Sequence, residues 1–93
     1  MSERIENTDA PRAHEHVVVT VFDGGEGVLV DLNTKRYYQL NETAMLVWRG
    51  VESGKTVAEI VGEMTREYEV EPEHAERSVA RVLDNFRSYK LVS

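Results

Sequence analysis

Residues 37–44, Tyr37-Tyr38-Gln39-Leu40-Asn41-Glu42-Thr43-Ala44, hold the point at which the chain changes its period. Tyr37 to Leu40 carries two aromatics and a leucine with no charge, Gly or Pro, which favours a strand. Asn41 can offer its side-chain oxygen to the unpaired N–H groups of a helix start, and Glu42 suits the positive end of the helix dipole. The spacing therefore predicts that a strand stops and a helix starts at Asn41.

Reading backward, Asn33-Thr34-Lys35-Arg36 is a turn and Val28-Leu29-Val30-Asp31-Leu32 a second strand. Its alternation puts Val28, Val30 and Leu32 on one face and Leu29 and Asp31 on the other. Asp23-Gly24-Gly25-Glu26-Gly27 is a further turn whose glycines can take positive φ. Val17 to Phe22, β-branched or aromatic throughout, is the first strand. Short loops make the three strands an antiparallel meander.

Reading forward, Ala44, Leu46, Val47, Trp48 and Val51 lie on a helix ending near Ser53-Gly54. Thr56 with Glu59 three residues on forms a capping box. Val57, Ile60, Val61, Met64 and Tyr68 form one apolar stripe behind it. Pro72 suits the first turn of a third helix, striped by Ala75, Val79, Val82, Leu83 and Phe86. Leu91 and Val92 are expected to fold back onto the core. The layout is α+β, a three-stranded antiparallel sheet followed by three helices that cover one of its faces. Residues 1–13 are expected to be a flexible tail and residues 14–93 the domain.

The chain has 93 residues, enough for one domain that buries only about 60–65% of its unfolded surface. Eleven Lys and Arg against seventeen Asp and Glu give a net charge of −6, which argues against a nucleic-acid backbone as partner. The third helix carries Arg77, Arg81, Arg87 and Lys90, but Glu73, Glu76 and Asp84 interrupt them, a poor phosphate ligand. There is no cysteine, so disulfides, thiolate metal sites and thiol nucleophiles are out. Neither a membrane span nor a signal peptide is visible, and a cytoplasmic location is expected.

Candidate chemistry is sparse. His14 and His16 could share a strand face, but a third metal ligand is missing, and no metal or cofactor is expected. The Gly24–Gly27 loop lacks the helix N-terminus and Lys-Ser/Thr pair of a phosphate loop. Glu59, Glu63 and Glu67 repeat every four residues and read as a solvated helix face. Non-enzymatic binding is the better expectation.

The third strand stands out for another reason. It comes last in the meander, so sequence-order pairing leaves it at the sheet edge. Such edges normally carry charge, Pro or a cover, and Tyr37 to Leu40 has neither charge nor Pro. An extended peptide could add there as a fourth strand. Two other readings use the same elements: a nucleic-acid-binding regulator, or a homodimer joined along this edge.

Gly27 to Leu32, Tyr37 to Ala44, Val47-Trp48 and Gly54 to Val61 together resemble the PqqD-like peptide chaperones, the recognition elements of ribosomally synthesised, post-translationally modified peptide pathways. The resemblance covers about Val17 to Val92. It implies a winged-helix-like fold that binds a precursor's leader segment as an added strand, in a cleft between third strand and third helix. It also implies delivery to a modifying enzyme such as a radical S-adenosylmethionine enzyme, or to a leader peptidase of the lasso type. Carried onto this chain, the strand side is Arg36, Tyr37, Tyr38, Gln39 and Leu40. The helix side is Ser78, Arg81, Val82 and Asn85. Ser78 stands where many relatives have an acid, and Lys90 where many have Gly. The expected state is a monomer or weak homodimer. Net acidity points toward basic leaders.

Overall fold

The computed structural model describes residues 10–93. Strand β1 (Val17–Val21) pairs with β2 (Gly27–Asp31), which pairs with β3 (Arg36–Leu40), all antiparallel in the order β1-β2-β3. Helices α1 (Glu42–Glu52), α2 (Val57–Tyr68) and α3 (Pro72–Ser88) follow. The expected α+β order and topology hold.

Local chemistry sets the boundaries. Asn41 accepts from the Ala44 N–H at 2.9 Å and starts α1. The capping box is complete: Thr56 Oγ1 accepts from the Glu59 N–H, and Glu59 Oε1 accepts from the Thr56 N–H. Pro72 opens α3, where its missing N–H costs nothing. Gly24, Gly25 and Gly54 take φ of 86°, 87° and 78°, as the turns after β1 and α1 require.

The helices cover the sheet face that carries Leu29, which is fully buried beside Met45, Val47, Trp48, Ile60, Met64, Val79, Leu83 and Leu91. The other sheet face stays open, with Val18 and Tyr37 exposed on either side of Val30 in one cross-strand row. Two expectations shift. In α1 Met45 joins Val47, Trp48 and Val51 among the buried residues, and Ala44 and Leu46 are only half-buried, because the helix rotates to set Met45 under Gly27. In the C-terminal segment Leu91 and Val92 are buried as expected, but Val92 also pairs with Ala13. Arg12 N–H donates to Ser93 Oγ, and His14 N–H to Leu91 O. These contacts tie Arg12 and Ala13, which precede the expected start of the domain at His14, to the C-terminal residues. The rest of the expected tail, residues 1–9, lies outside the described residues.

α1 and α2 approach closely at Gly50, where a Cβ would lie 2.6 Å from Ile60 Cγ1. Alanine would gain about 1 kcal/mol of helix propensity, but overpacking costs about 1–3 kcal/mol. Gly50→Ala is expected to lower the urea midpoint. In an Ile60→Ala background the same change should raise it, a non-additivity that thermal or urea unfolding reads directly.

Candidate functional site

The site is the groove between β3 and α3. Alternation in the sheet decides which β3 groups face it. Leu32 N–H donates to His16 O, and Phe22 N–H to Glu26 O. With the β1–β2 register, the hydrogen-bonded pairs on that side are therefore Val18 with Val30 and Thr20 with Val28. Gly27, Leu29 and Asp31 must then aim their main-chain groups at β3, where they meet Leu40, Tyr38 and Arg36. The N–H and C=O groups of Tyr37 and Gln39 consequently point to the open edge.

Beside that edge lies a cavity of about 720 Å³. β3 contributes Tyr37, Tyr38, Gln39 and Leu40, and α3 contributes Arg81, Val82, Asn85 and Phe86. The start of α1 closes one end with Thr43 and Ala44. Tyr89, just past α3, stacks on Tyr38 with ring centroids 4.6 Å apart and a tilt of 32°. The direction of the groove follows from the segment after α3: Leu91 O accepts from the His14 N–H just ahead of β1, and Val17 at the start of β1 lies level with Asp31 and Arg36. The C-terminal end of α3 lies by the start of β3, and Arg81, about 12 Å back along the helix, lies toward Leu40. No β1 residue lines the cavity, although β1 is equally an edge without charge or Pro.

Of the residues singled out from sequence, Arg36 and Ser78 do not line the groove. Arg36 sits at the hairpin end of β3. Ser78 shares the groove-facing side of α3 but lies nearly a turn beyond the cavity. Phe22, Phe86 and Tyr89 do line it, with Thr43 and Ala44 of α1, and were not foreseen as site residues; Phe86 was expected only in the buried stripe of α3. Tyr89 continues the Val82, Asn85, Phe86 spacing by one more step, a signal present in the sequence. Phe22 has no such signal, because the bend after β1 brings it round.

Asp31 anchors the turn that presents β3. It is 2% exposed, and its Oδ1 accepts from the N–H groups of Asn33 and Thr34 at 2.9 and 3.2 Å. His16 Nε2 lies 3.7 Å from Oδ2, and the His16 ring stacks on His14 at 5.3 Å. Burial acts to raise the Asp31 pKa, but the Thr34 and Asn33 backbone hydrogen bonds and the His16 charge prevail and hold it below 3.8. A depressed folded-state pKa stabilises the fold above the unfolded value, and the contribution is lost as pH falls through the folded value. The urea midpoint of the wild type should therefore exceed that of Asp31→Asn above pH 5, and the gap should close below pH 3.8. A constant gap down to pH 2 would contradict this assignment.

A second cavity of about 500 Å³ lies between α1 and α2, lined in part by Arg49, Arg66, Glu42 and Glu67. Burial, with Glu42 and Glu67 nearby, pushes the Tyr68 hydroxyl above its ordinary pKa, while Arg49 pulls the other way. Lys55 and Glu63 pair across it. It has no open strand edge. Among the described residues no group of three or more His, Cys, Asp or Glu is placed to hold a metal ion, and no helix is long and apolar enough to cross a membrane.

Comparisons with known proteins agree with this architecture. No curated protein sequence matches the chain. A structure of TbiB1 in complex with the TbiA(β) leader peptide superposes with a TM-score of 0.83 at 29% identity, covering 88% of this chain and 94% of that one. Lasso peptide synthetase B1 complexed with its leader peptide gives 0.81 at 30% identity, covering 90% and 98%. The PqqD part of Methylobacterium extorquens PqqCD, described as a functional stand-alone recognition element, shares the fold with a TM-score of 0.75 at 20% identity, covering 97% and 95%. The family model for coenzyme PQQ synthesis protein D matches residues 26–92, from the β1–β2 turn to the C-terminal bridge. With the β3–α3 groove inside that match, the chain belongs to the PqqD family.

Proposed function

We propose that this protein is a non-catalytic receptor for the leader segment of a ribosomally made precursor peptide. The leader adds to β3 as a fourth strand, and the remainder of the precursor is thereby presented to a modifying enzyme or leader peptidase. The observation that carries this reading is an open strand edge facing a helix across an unfilled groove. The two leader-peptide complexes with the same fold support it. Among the described residues the groove lining offers one carboxylate, Glu26, and no histidine, a poor set for acid–base catalysis.

Main-chain pairing alone is too weak. Tyr37 and Gln39 can form about four hydrogen bonds with a guest, each contributing about 0.5–1.5 kcal/mol net. The resulting 2–6 kcal/mol or so falls short of the roughly 8 kcal/mol of a micromolar complex. Guest side chains seated between Tyr38, Leu40, Val82 and Phe86 must supply the difference, at about 1.5–3 kcal/mol for each fully buried group.

The test is a titration of the ¹⁵N-labelled domain with synthetic leader segments of the candidate precursor peptides of its own organism. Amide shifts are expected along Tyr37 to Leu40 and along Arg81 to Tyr89. Shifts confined to β1, or none at millimolar peptide, would contradict the reading.

A further inference from the structure

The groove's local charge differs from that of the domain around it. The chain as a whole carries −6, which taken alone favours a basic guest. Among the described residues the charged side chains lining the groove are only Glu26 and Arg81, so this wall is neutral overall. Glu26 belongs to the β1–β2 turn, whereas Arg81 stands on α3, the wall that a strand added to β3 would face. Arg81 is exposed, and among the described residues no carboxylate lies within ion-pair distance of it, since Asp84 one turn on pairs with Arg87 instead. Its guanidinium is therefore available to a ligand.

We propose that Arg81 is a specificity-determining residue: it selects an acidic side chain at one inward-facing position of the bound leader. This rests on strand addition at β3. Distance decides between the local charge and the net charge. The domain spans 38 × 33 × 19 Å, several times the screening length of about 8 Å at physiological salt, so charges on its far sides act only weakly on a guest in the groove. A guest carboxylate against Arg81 would be in direct contact, and a guanidinium can bind it through two parallel N–H groups. Because strand side chains alternate, residues two before and two after that position face α3 as well, but one guanidinium can serve only one of them. The preference should therefore appear at a single position, flanked at i±2 by residues fitted to the apolar lining. Asn85, one turn on, offers a neutral amide and carries no charge preference of its own.

The experiment is a selection of ribosome-displayed random decapeptides on the full chain, using wild type, Arg81→Gln and Arg81→Glu. Arg81 is exposed, and circular dichroism checks that the variants remain folded. Wild type should enrich Asp or Glu about five- to ten-fold at one position of the aligned binders. Arg81→Gln should lose that enrichment, and Arg81→Glu should favour Lys or Arg at the same position. Binders with no charge preference, or an acidic preference that persists in Arg81→Gln, would overturn the proposal and leave peptide binding intact. If no peptide is enriched on any of the three folded proteins, strand addition itself fails, and the selectivity proposal with it.

Discussion

Gln39→Pro is expected to abolish leader binding, weakening it by at least a hundred-fold, while the domain stays folded. Register and alternation turn the Gln39 N–H outward, so its loss removes a donor to the guest and none to β2. The proline ring also occupies the line along which a guest backbone must approach. Edge strands accept proline at an outward position, and the residue before it, Tyr38, is already extended. Tyr38→Pro makes the opposite case. Its N–H faces Leu29, so that change breaks the β2–β3 ladder and should unfold or loosen β3. Isothermal titration calorimetry on both variants, with amide spectra to confirm folding, separates the two outcomes. Retained affinity in a folded Gln39→Pro protein would rule out main-chain pairing at that edge.

Trp48→Ala is expected to cost about 3–5 kcal/mol, a large part of the roughly 5–15 kcal/mol that holds a domain of this kind together. Trp48 is fully buried and meets Phe86 edge-to-face, with ring centroids 5.4 Å apart. Phe86 also lines the groove, so the same truncation removes the support behind one wall of the site. The indole N–H of Trp48 is buried with no acceptor among the described residues. An unpaired buried donor costs free energy, so Trp48→Phe removes a penalty along with some packing. It should be much the milder change, within about 2 kcal/mol of wild type. Urea unfolding followed by circular dichroism compares them without relying on the lost fluorophore. Equal losses for the two variants would mean that the indole N–H has a partner after all.

The fold was legible because local signals and tertiary demands coincide at the element boundaries. Asn41, the Thr56–Glu59 box, Gly54 and Pro72 each satisfy or excuse backbone groups that helix ends leave open. Strand alternation likewise placed Asp31 on the face of Leu29, and that is the face the helices cover. What alternation could not say is that Asp31 would be buried there, since its carboxylate is satisfied by turn N–H groups that exist only once the hairpin closes. Met45 was missed for a related reason. The apolar run Ala44 to Trp48 allows several helix rotations, and the choice is made by contact with Gly27, a residue far off in sequence.

The groove was partly legible. The family resemblance implied Tyr38, Leu40 and Val82, which line it, whereas Phe86 was legible only as a residue of the buried stripe of α3. Periodicity does not mark where a groove ends. Arg36 and Ser78 therefore fall outside it, and Tyr89, past the last helical turn, falls inside. No local signal marks the short β-bridge between Ala13 and Val92, because it joins residues from opposite ends of the chain.

Strand addition at β3 requires the outward main-chain groups of Tyr37 and Gln39. Amide hydrogen exchange, residue by residue, tests them directly. In the free domain the Tyr37 and Gln39 amides should exchange much faster than those of Tyr38 and Leu40, which bond to β2. Saturation with the leader should slow Tyr37 and Gln39 by ten-fold or more and leave the amides of β1 unchanged. A bound leader that leaves both amides exchanging at their free rates would contradict strand addition at β3.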